Sequence, residues 1–323
     1  MNISKLLIII TILLCSIQIL FVLSNALYFS KKYFFTKEIQ LNKRYGNNSW
    51  VLITGCSAGQ GKRFAIEFAK RNFNIILIGR KGIKNVEKII KNKYNVKTIT
   101  YIANFNNAYK LDFFNGIENI LNNLDGELSF LVNNIGHRMA WNPYHKMPIK
   151  KIRDTIICGT MVQSRMTQIA INHFLIKKSN HKSCIINITA QCQNLSFFFG
   201  TPTWISVPYM SVYEGSNAFG FYHSNSIEME YKDMIDVLNI TPGPVITGNT
   251  KYLNSIPFSI DCKSYVENIF TLIGNYTGPQ HAYWKHELSG FISNIPLIDI
   301  YKKFAMFNVG NLLANYFMNK KKV

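Results

Sequence analysis

The run Trp50-Val51-Leu52-Ile53-Thr54-Gly55-Cys56-Ser57-Ala58-Gly59-Gln60-Gly61-Lys62 decides how the rest of the chain is read. Four apolar residues pass straight into glycines spaced G-x-x-x-G-x-G, and Arg63-Phe64-Ala65-Ile66-Glu67-Phe68-Ala69-Lys70 then follows with helical spacing. Strand, glycine turn and helix in that order suit a pyrophosphate. Glycines let the backbone come close, and the helix N-terminus offers free N–H groups and the positive end of its dipole. A tight strand-to-helix turn without a ligand is the plainer alternative. Gly79-Arg80-Lys81 ends the next apolar run. An acidic residue there would favour the ribose of NAD, whereas Arg80 favours the 2′-phosphate of NADP, with a solvated basic loop as the plainer alternative.

Working outward, short apolar runs alternate with helix-length segments: Trp50-Val51-Leu52-Ile53, Ile75-Ile76-Leu77-Ile78, Ser129-Phe130-Leu131-Val132, Cys184-Ile185-Ile186-Asn187-Ile188 and Asp236-Val237-Leu238-Asn239-Ile240. Continuous apolar strands joined by helices predict a parallel sheet covered on both faces. The expected fold is α/β, a doubly wound parallel sheet of Rossmann type in a single domain, preceded by a transmembrane helix. The chain has 323 residues, 48% of them hydrophobic, which excludes a mainly disordered protein, and six cysteines, too few for a disulfide framework. The net charge of +19 is compatible with nucleic acid, an anionic membrane surface or phosphorylated ligands, and equally with a Lys- and Asn-rich composition. No basic repeat with interleaved aromatics appears, so a nucleic-acid partner is not expected.

The ends of the chain address location. Residues 6–23 read LLIIITILLCSIQILFVL, without a charge, and Ala26-Leu27-Tyr28-Phe29 extends them with an interfacial aromatic pair. A cleaved signal's apolar region usually stops at about 7–15 residues, so an uncleaved anchor is expected. Lys5 precedes the span, whereas Lys31, Lys32, Lys37, Lys43 and Arg44 follow it, which places the body in the cytosol. Cysteines such as Cys56 and Cys192 read as unpaired thiols of a reducing compartment, and the Asn-x-Ser/Thr triplets at Asn187, Asn239 and Asn275 as chance. The terminal Lys320-Lys321-Lys322-Val323 resembles the dilysine retrieval signal of endoplasmic-reticulum membrane proteins. Expected segments are a membrane anchor over 1–29, a basic juxtamembrane stretch over 30–45, a dinucleotide-binding domain over 46–285 and a membrane-surface helix with a basic tail over 286–323. A plain packed C-terminal helix is the alternative for the last. The seven histidines form no paired metal spacing and read as surface or satisfied core residues.

Four blocks, the opening turn among them, carry a resemblance. Thr54-Gly55-Cys56-Ser57-Ala58-Gly59-Gln60-Gly61, Asn133-Asn134-Ile135-Gly136, Arg165-Met166-Thr167-Gln168 and Pro242-Gly243-Pro244-Val245-Ile246-Thr247 together resemble the short-chain dehydrogenase/reductases. More narrowly, the chain is similar to the membrane-bound branch of very-long-chain 3-oxoacyl-CoA reductases and type 12 17β-hydroxysteroid dehydrogenases. The match runs over about residues 46–252. It implies NADP(H) as cofactor, held by Thr54, Gly55, Ser57, Gly59, Gly61, Arg80, Asn104, Asn133, Gly136, Pro242, Gly243, Val245 and Thr247, the 242–247 block holding the nicotinamide carboxamide. Asn104 stands where an acidic residue usually meets the adenine. The resemblance further implies a long-chain acyl-CoA or steroid-like substrate, an endoplasmic-reticulum membrane location and homo- or hetero-oligomers with related reductases.

The family's catalytic tetrad transfers unevenly. Tyr213-Glu214-Gly215-Ser216-Asn217 lies on its Y-x-x-x-K, so Tyr213 takes the proton-donor position and neutral Asn217 replaces the lysine. In Asn187-Ile188-Thr189-Ala190 the catalytic serine falls on Ala190, and counting back seven residues from Met166 puts the supporting asparagine on Gly159. Ser196 and Tyr209 keep a family spacing, but residue 213 four positions on is tyrosine, so that register is rejected. A phenol of ordinary pKa near 10 is a poor proton donor at neutral pH without a neighbouring cation. If independent, losing lysine and serine would slow turnover on the order of 10⁴–10⁷-fold, less if the residues act as a unit. Thr189, Lys62, His137 and Arg138 are nearby groups that could substitute, none at the family's spacing. The expectation is an oxidoreductase with a degenerate tetrad, the alternative an inactive homologue serving as a nucleotide-binding or scaffold subunit. Some ten extra residues before Tyr213, around 193–208 and carrying Phe197, Phe198, Phe199 and Trp204, are expected as an apolar lid, a membrane-dipping loop or a locally packed surface loop.

Overall fold

The computed structural model describes residues 3–136, 142–176, 180–190, 193–194, 203–204, 207–248, 250, 254, 256–293, 307–308, 310–311 and 315. The five apolar runs are all strands. With Thr98–Ile102 and Gly278–Gln280 they form one seven-stranded parallel sheet. In chain order the strands are β1 (Trp50–Thr54), β2 (Asn74–Gly79), β3 (Thr98–Ile102), β4 (Leu128–Asn133), β5 (Ser183–Ile188), β6 (Ile235–Ile240) and β7 (Gly278–Gln280). Across the sheet they run β7-β6-β5-β4-β1-β2-β3, the expected doubly wound parallel sheet. The order reverses between β1 and β4, and the crevice beyond their C-terminal ends is where such sheets take ligands.

The helices follow from the same alternation: α1 (Ile3–Ser30), α2 (Leu41–Tyr45), α3 (Gly59–Lys70), α4 (Ile83–Lys93), α5 (Asn115–Asn122), α6 (Ile149–Ile156), α7 (Val162–Leu175), α8 (Ser211–Tyr231), α9 (Cys262–Leu272) and α10 (Trp284–Ser293). Every residue of β1 is buried, because successive side chains enter two separate cores. Val51 and Ile53 join Phe64, Phe68, Phe73, Phe130 and Phe270 on one face. Trp50 and Leu52 join Leu131, Met166, Ile169 and Phe174 on the other. Phe68 anchors the aromatic cluster, with ring centroids 4.8 Å from Phe130 and 4.9 Å from Phe270. Such pairs stabilise by about 0.5–1.5 kcal/mol beyond their burial.

The N-terminal helix stands apart from these cores. The stretch Ile9–Phe35 holds an 18-residue window of mean hydropathy 2.2 with no buried residue, and among the described residues it is the one helical stretch long and apolar enough to cross a membrane. Residues just beyond it pack into the body. After a π-helical turn at Lys31–Phe35, Leu41 and Tyr45 enter the core. Arg44 pairs with Asp236 at 2.7 Å, and the Tyr45 hydroxyl donates to the same carboxylate at 2.6 Å. Burial pushes the Asp236 pKa up, but hydrogen bonds from Arg44 and Tyr45, with the Arg44 and Lys182 charges, outweigh it and hold the carboxyl below its usual range. At the insertion before α8, Gln193–Asn194 pairs antiparallel with Thr203–Trp204, so the base of the loop is a short hairpin. Phe197, Phe198, Phe199, Ser196, Cys192, His137 and Arg138 lie outside the described residues, as does most of 297–318.

Candidate active site

The glycine turn is built from close backbone approaches. Gly55 and Gly59 have φ of +68° and +57°, conformations that favour glycine. Gly61 is required by space: a Cβ there would lie 2.5 Å from Asn134 Nδ2 and 2.6 Å from the Gly55 carbonyl. Asn134 locks this approach. Its backbone N–H donates to Thr54 Oγ1 at 3.0 Å, and its amide lies 3.3 Å from the carbonyls of Thr54 and Gly55. Ala58 precedes α3 without a side-chain cap, leaving the first helical amides without a side-chain acceptor from that residue. The 242–247 block returns to the same place, since a Cβ on Gly59 would sit 3.6 Å from Thr247 Cγ2. Thr247 is fixed in turn by Thr250, whose Oγ1 accepts from the Thr247 N–H at 2.8 Å.

The remaining predicted contacts surround this turn. Ser57 Oγ donates to the Arg80 carbonyl at 3.3 Å, joining the turn to the loop after β2, where the Arg80 side chain is exposed and no ion pair holds it among the described residues. Asn104 is exposed after β3, its Oδ1 accepting from the Asn106 N–H. Asn133 ends β4 and donates to Thr167 Oγ1 at 3.1 Å and Asn187 Oδ1 at 2.8 Å, tying β4, α7 and β5 together. A Cβ on Gly136 would meet nothing within 4 Å, so this side of the crevice is open. Pro242 and Gly243 follow β6, and Val245 is buried beneath the loop. The residues present fit a dinucleotide: uncapped helix amides, an open glycine shelf, a free-standing cation and the orphaned buried acceptors Gln60 Oε1 and Asn133 Oδ1.

The positions expected to be catalytic lie on α8, just after β5 and in the turn before α7. Tyr213 lies half-buried in the first turn of α8. Asn217 does not reach toward a ligand; its amide donates back to the Tyr213 carbonyl at 2.8 Å, and Ser216 Oγ does the same at 2.8 Å. Ala190 lies two residues past the end of β5 and offers no hydroxyl. Thr189 cannot stand in, because its Oγ1 donates inward, 3.0 Å from Asn239 Oδ1 and 3.2 Å from the Ile240 carbonyl, in a buried site. Gly159 sits in the π-helical turn Ile157–Met161, where a Cβ would lie 2.7 Å from Ser216 Cβ. Its glycine lets α8 press against that turn. The rejected tyrosine is committed elsewhere, since the Tyr209 hydroxyl donates to Asn311 Oδ1 at 2.6 Å.

Two of the histidines expected as surface or satisfied core residues are core residues beside the 242–247 loop. His281 and His286 are buried, and burial pushes both imidazoles down to about 4. His281 Nδ1 lies 3.0 Å from Thr241 Oγ1, and His286 Nδ1 accepts from the Gly243 N–H at 3.2 Å. Their spacing of five carried no metal signature, and no group of three or more His, Cys, Asp or Glu side chains able to hold a metal occurs among the described residues. The strand-plus-turn that precedes α10 is what brings them there.

Comparison with known proteins agrees with this fold. Human 17-beta-hydroxysteroid dehydrogenase type 3 is 31% identical over 256 residues, covering 76% of this chain and 75% of that one. The very-long-chain 3-oxoacyl-CoA reductase of Debaryomyces hansenii is 28% identical, covering 81% and 77%. Among solved structures, a 7beta-hydroxysteroid dehydrogenase superposes with a TM-score of 0.69 at 18% identity, over 83% of this chain and 99% of that one. A short-chain dehydrogenase from Sphingobium yanoikuyae, solved with NADPH, gives 0.61 at 19% identity, over 76% and 96%. The short chain dehydrogenase family model matches residues 49–256, nearly two thirds of the sequence, and the chain belongs to that family.

Proposed function

We propose that the protein is a membrane-anchored NADP(H)-binding oxidoreductase that reduces the keto group of a long-chain acyl-CoA or steroid-like substrate slowly, through a reduced catalytic set. The observation that carries it is the turn after β1, where Gly61 and Asn134 interlock and α3 begins uncapped. Arg80 supports the 2′-phosphate of NADP, and the relatives named above support the substrate class. The α1 helix and the basic residues after it support an endoplasmic-reticulum anchor with the body in the cytosol. In this reading the bound nicotinamide supplies hydride. Gly55, Gly59 and Gly61 admit the pyrophosphate, the 242–247 loop orients the ring, and Tyr213 gives its phenolic proton to the carbonyl oxygen. Asn217 is neutral, so it leaves the phenol without the cation that would ease proton release, and Ala190 leaves the carbonyl oxygen without a hydroxyl donor.

One observation favours a second reading. Asn217 is turned onto the helix backbone, which suits an inactive homologue that keeps the nucleotide fold as a binding or scaffold subunit beside related reductases. The full chain in detergent or nanodiscs, titrated with NADPH and then given a long-chain 3-oxoacyl-CoA, separates the two. NADPH oxidation above the uncatalysed rate supports the enzyme; binding without turnover refutes it and leaves the scaffold; absence of binding refutes both.

A further inference from the structure

The loop that follows β6 has an unusual backbone. Pro242 and Pro244 lack an N–H, so within 241–244 only Thr241 and Gly243 can donate one. The first is held by the end of β7 and the second by α10: the Thr241 N–H donates to the Gln280 carbonyl at 3.0 Å, and the Gly243 N–H to His286 Nδ1 at 3.2 Å. His286 is fully buried, with its ring centroid 5.0 Å from Tyr283 and 5.7 Å from Tyr265, so the imidazole has little freedom.

The next residue on α10 is Glu287, and it holds the foot of the membrane anchor. Lys32 Nζ lies 2.6 Å from Glu287 Oε2, with the lysine side chain almost wholly buried. The Tyr33 hydroxyl lies 2.6 Å from that oxygen and 2.9 Å from the His281 carbonyl. Lys32 also stands 5.0 Å from the Tyr33 ring centroid. A buried pair of this kind leaves an uncompensated charge when one partner is removed, so the contact resists release. Adjacent residues of one helix turn thus grip the anchor on one side and the loop on the other.

We propose that His286 is a positioning residue for the 242–247 loop, and that the Lys32–Tyr33 pair at the foot of the anchor acts on that loop through Glu287, so that nicotinamide binding requires the anchor to be docked. The nicotinamide half of this statement rests on the nucleotide reading above; the coupling between anchor and loop does not.

The test uses the full chain in nanodiscs and two readouts. The first is hydrogen exchange of the peptide covering 241–247, with the peptide covering 51–62 as control. His286→Phe fills the aromatic site without an acceptor, and Lys32→Met removes the ion pair. Each should raise exchange about tenfold in 241–247 and leave 51–62 unchanged, the size expected for one lost buried hydrogen bond. His286→Asn, which again offers an acceptor to Gly243, should restore protection. The second readout compares NADPH with 2′-phospho-ADP-ribose, which lacks the nicotinamide. The same two variants should weaken NADPH about tenfold and the fragment less than twofold. Unchanged exchange in 241–247 overturns the proposal, as does equal weakening of both ligands. If Lys32→Met does not fold, Tyr33→Phe and Glu287→Gln keep the packing and must show the same pattern in smaller measure. Should the unmodified chain bind neither ligand, the nucleotide reading fails, and the exchange data still decide whether anchor and loop are coupled.

Discussion

The turn after β1 and the first turns of α8 are built to different standards. At the turn, every close approach is matched: Gly61 against Asn134, Thr54 against Asn134, Thr247 against Gly59. On α8, Asn217 at the expected lysine position is folded back on its own helix, bonded with neighbouring Ser216 to the Tyr213 carbonyl. Nucleotide binding depends on backbone shape, which one wrong side chain destroys. Proton transfer depends on a few side-chain termini, which can be replaced without disturbing the fold. The contrast teaches that the two abilities are separable in this chain.

Four measurements would break or sharpen that contrast. Gly61→Val should abolish NADPH binding, by about 10³-fold or more, because the new carbon falls inside contact with Asn134 and Gly55; binding within tenfold of the parent would show that the turn is less tightly built. Tyr213→Phe should cut any carbonyl reduction by roughly 10²-fold or more while leaving the NADPH Kd unchanged, and retained turnover would remove Tyr213 from the chemistry. Asn217→Lys combined with Ala190→Ser should raise NADPH-dependent turnover by roughly 10-fold or more, short of a full tetrad; no gain would mean that the crevice beyond Tyr213 has changed as well.

The smallest effect is on stability against pH. His281 and His286 are neutral in the fold, with pKa values near 4, whereas in the unfolded chain they titrate near the ordinary 6.5. Below 6.5 the unfolded chain takes up protons that the fold does not, so stability is full above that pH and falls as pH drops toward 4. The Tm should decline by several degrees across this window, and His281→Gln should flatten the decline. An unchanged slope would mean that the imidazole is protonated in place.

Much of this was legible before the fold was seen. The five central strands read as continuous apolar runs because they are buried on both faces. The strands β3 and β7 give no such run, since they lie at the sheet edges, where Thr98-Ile99-Thr100-Tyr101-Ile102 alternates and Gly278-Pro279-Gln280 has almost no pattern. Glycine spacing found the turn, and motif register found Asn217 and Ala190, because those signals are local. The grip of α10 on the anchor was invisible for the opposite reason. Lys32 and Glu287 are 255 residues apart, and each reads alone as one more surface charge. Thr189 also required coordinates, because only the orientation of its hydroxyl toward Asn239 rules it out as a replacement for serine.

The contact between Gly159 and Ser216 bears on how the molecule could be re-engineered. An asparagine at 159 would drive its first side-chain carbon to 2.7 Å from Ser216, so α8 must shift or lose that serine side chain. The two positions compete for one space, so a side chain at 159 is coupled to what stands at 216 and cannot be introduced as an independent substitution. Any chemistry built on residue 159 is thereby a two-site problem, with the packing of α8 settled before the new group can act.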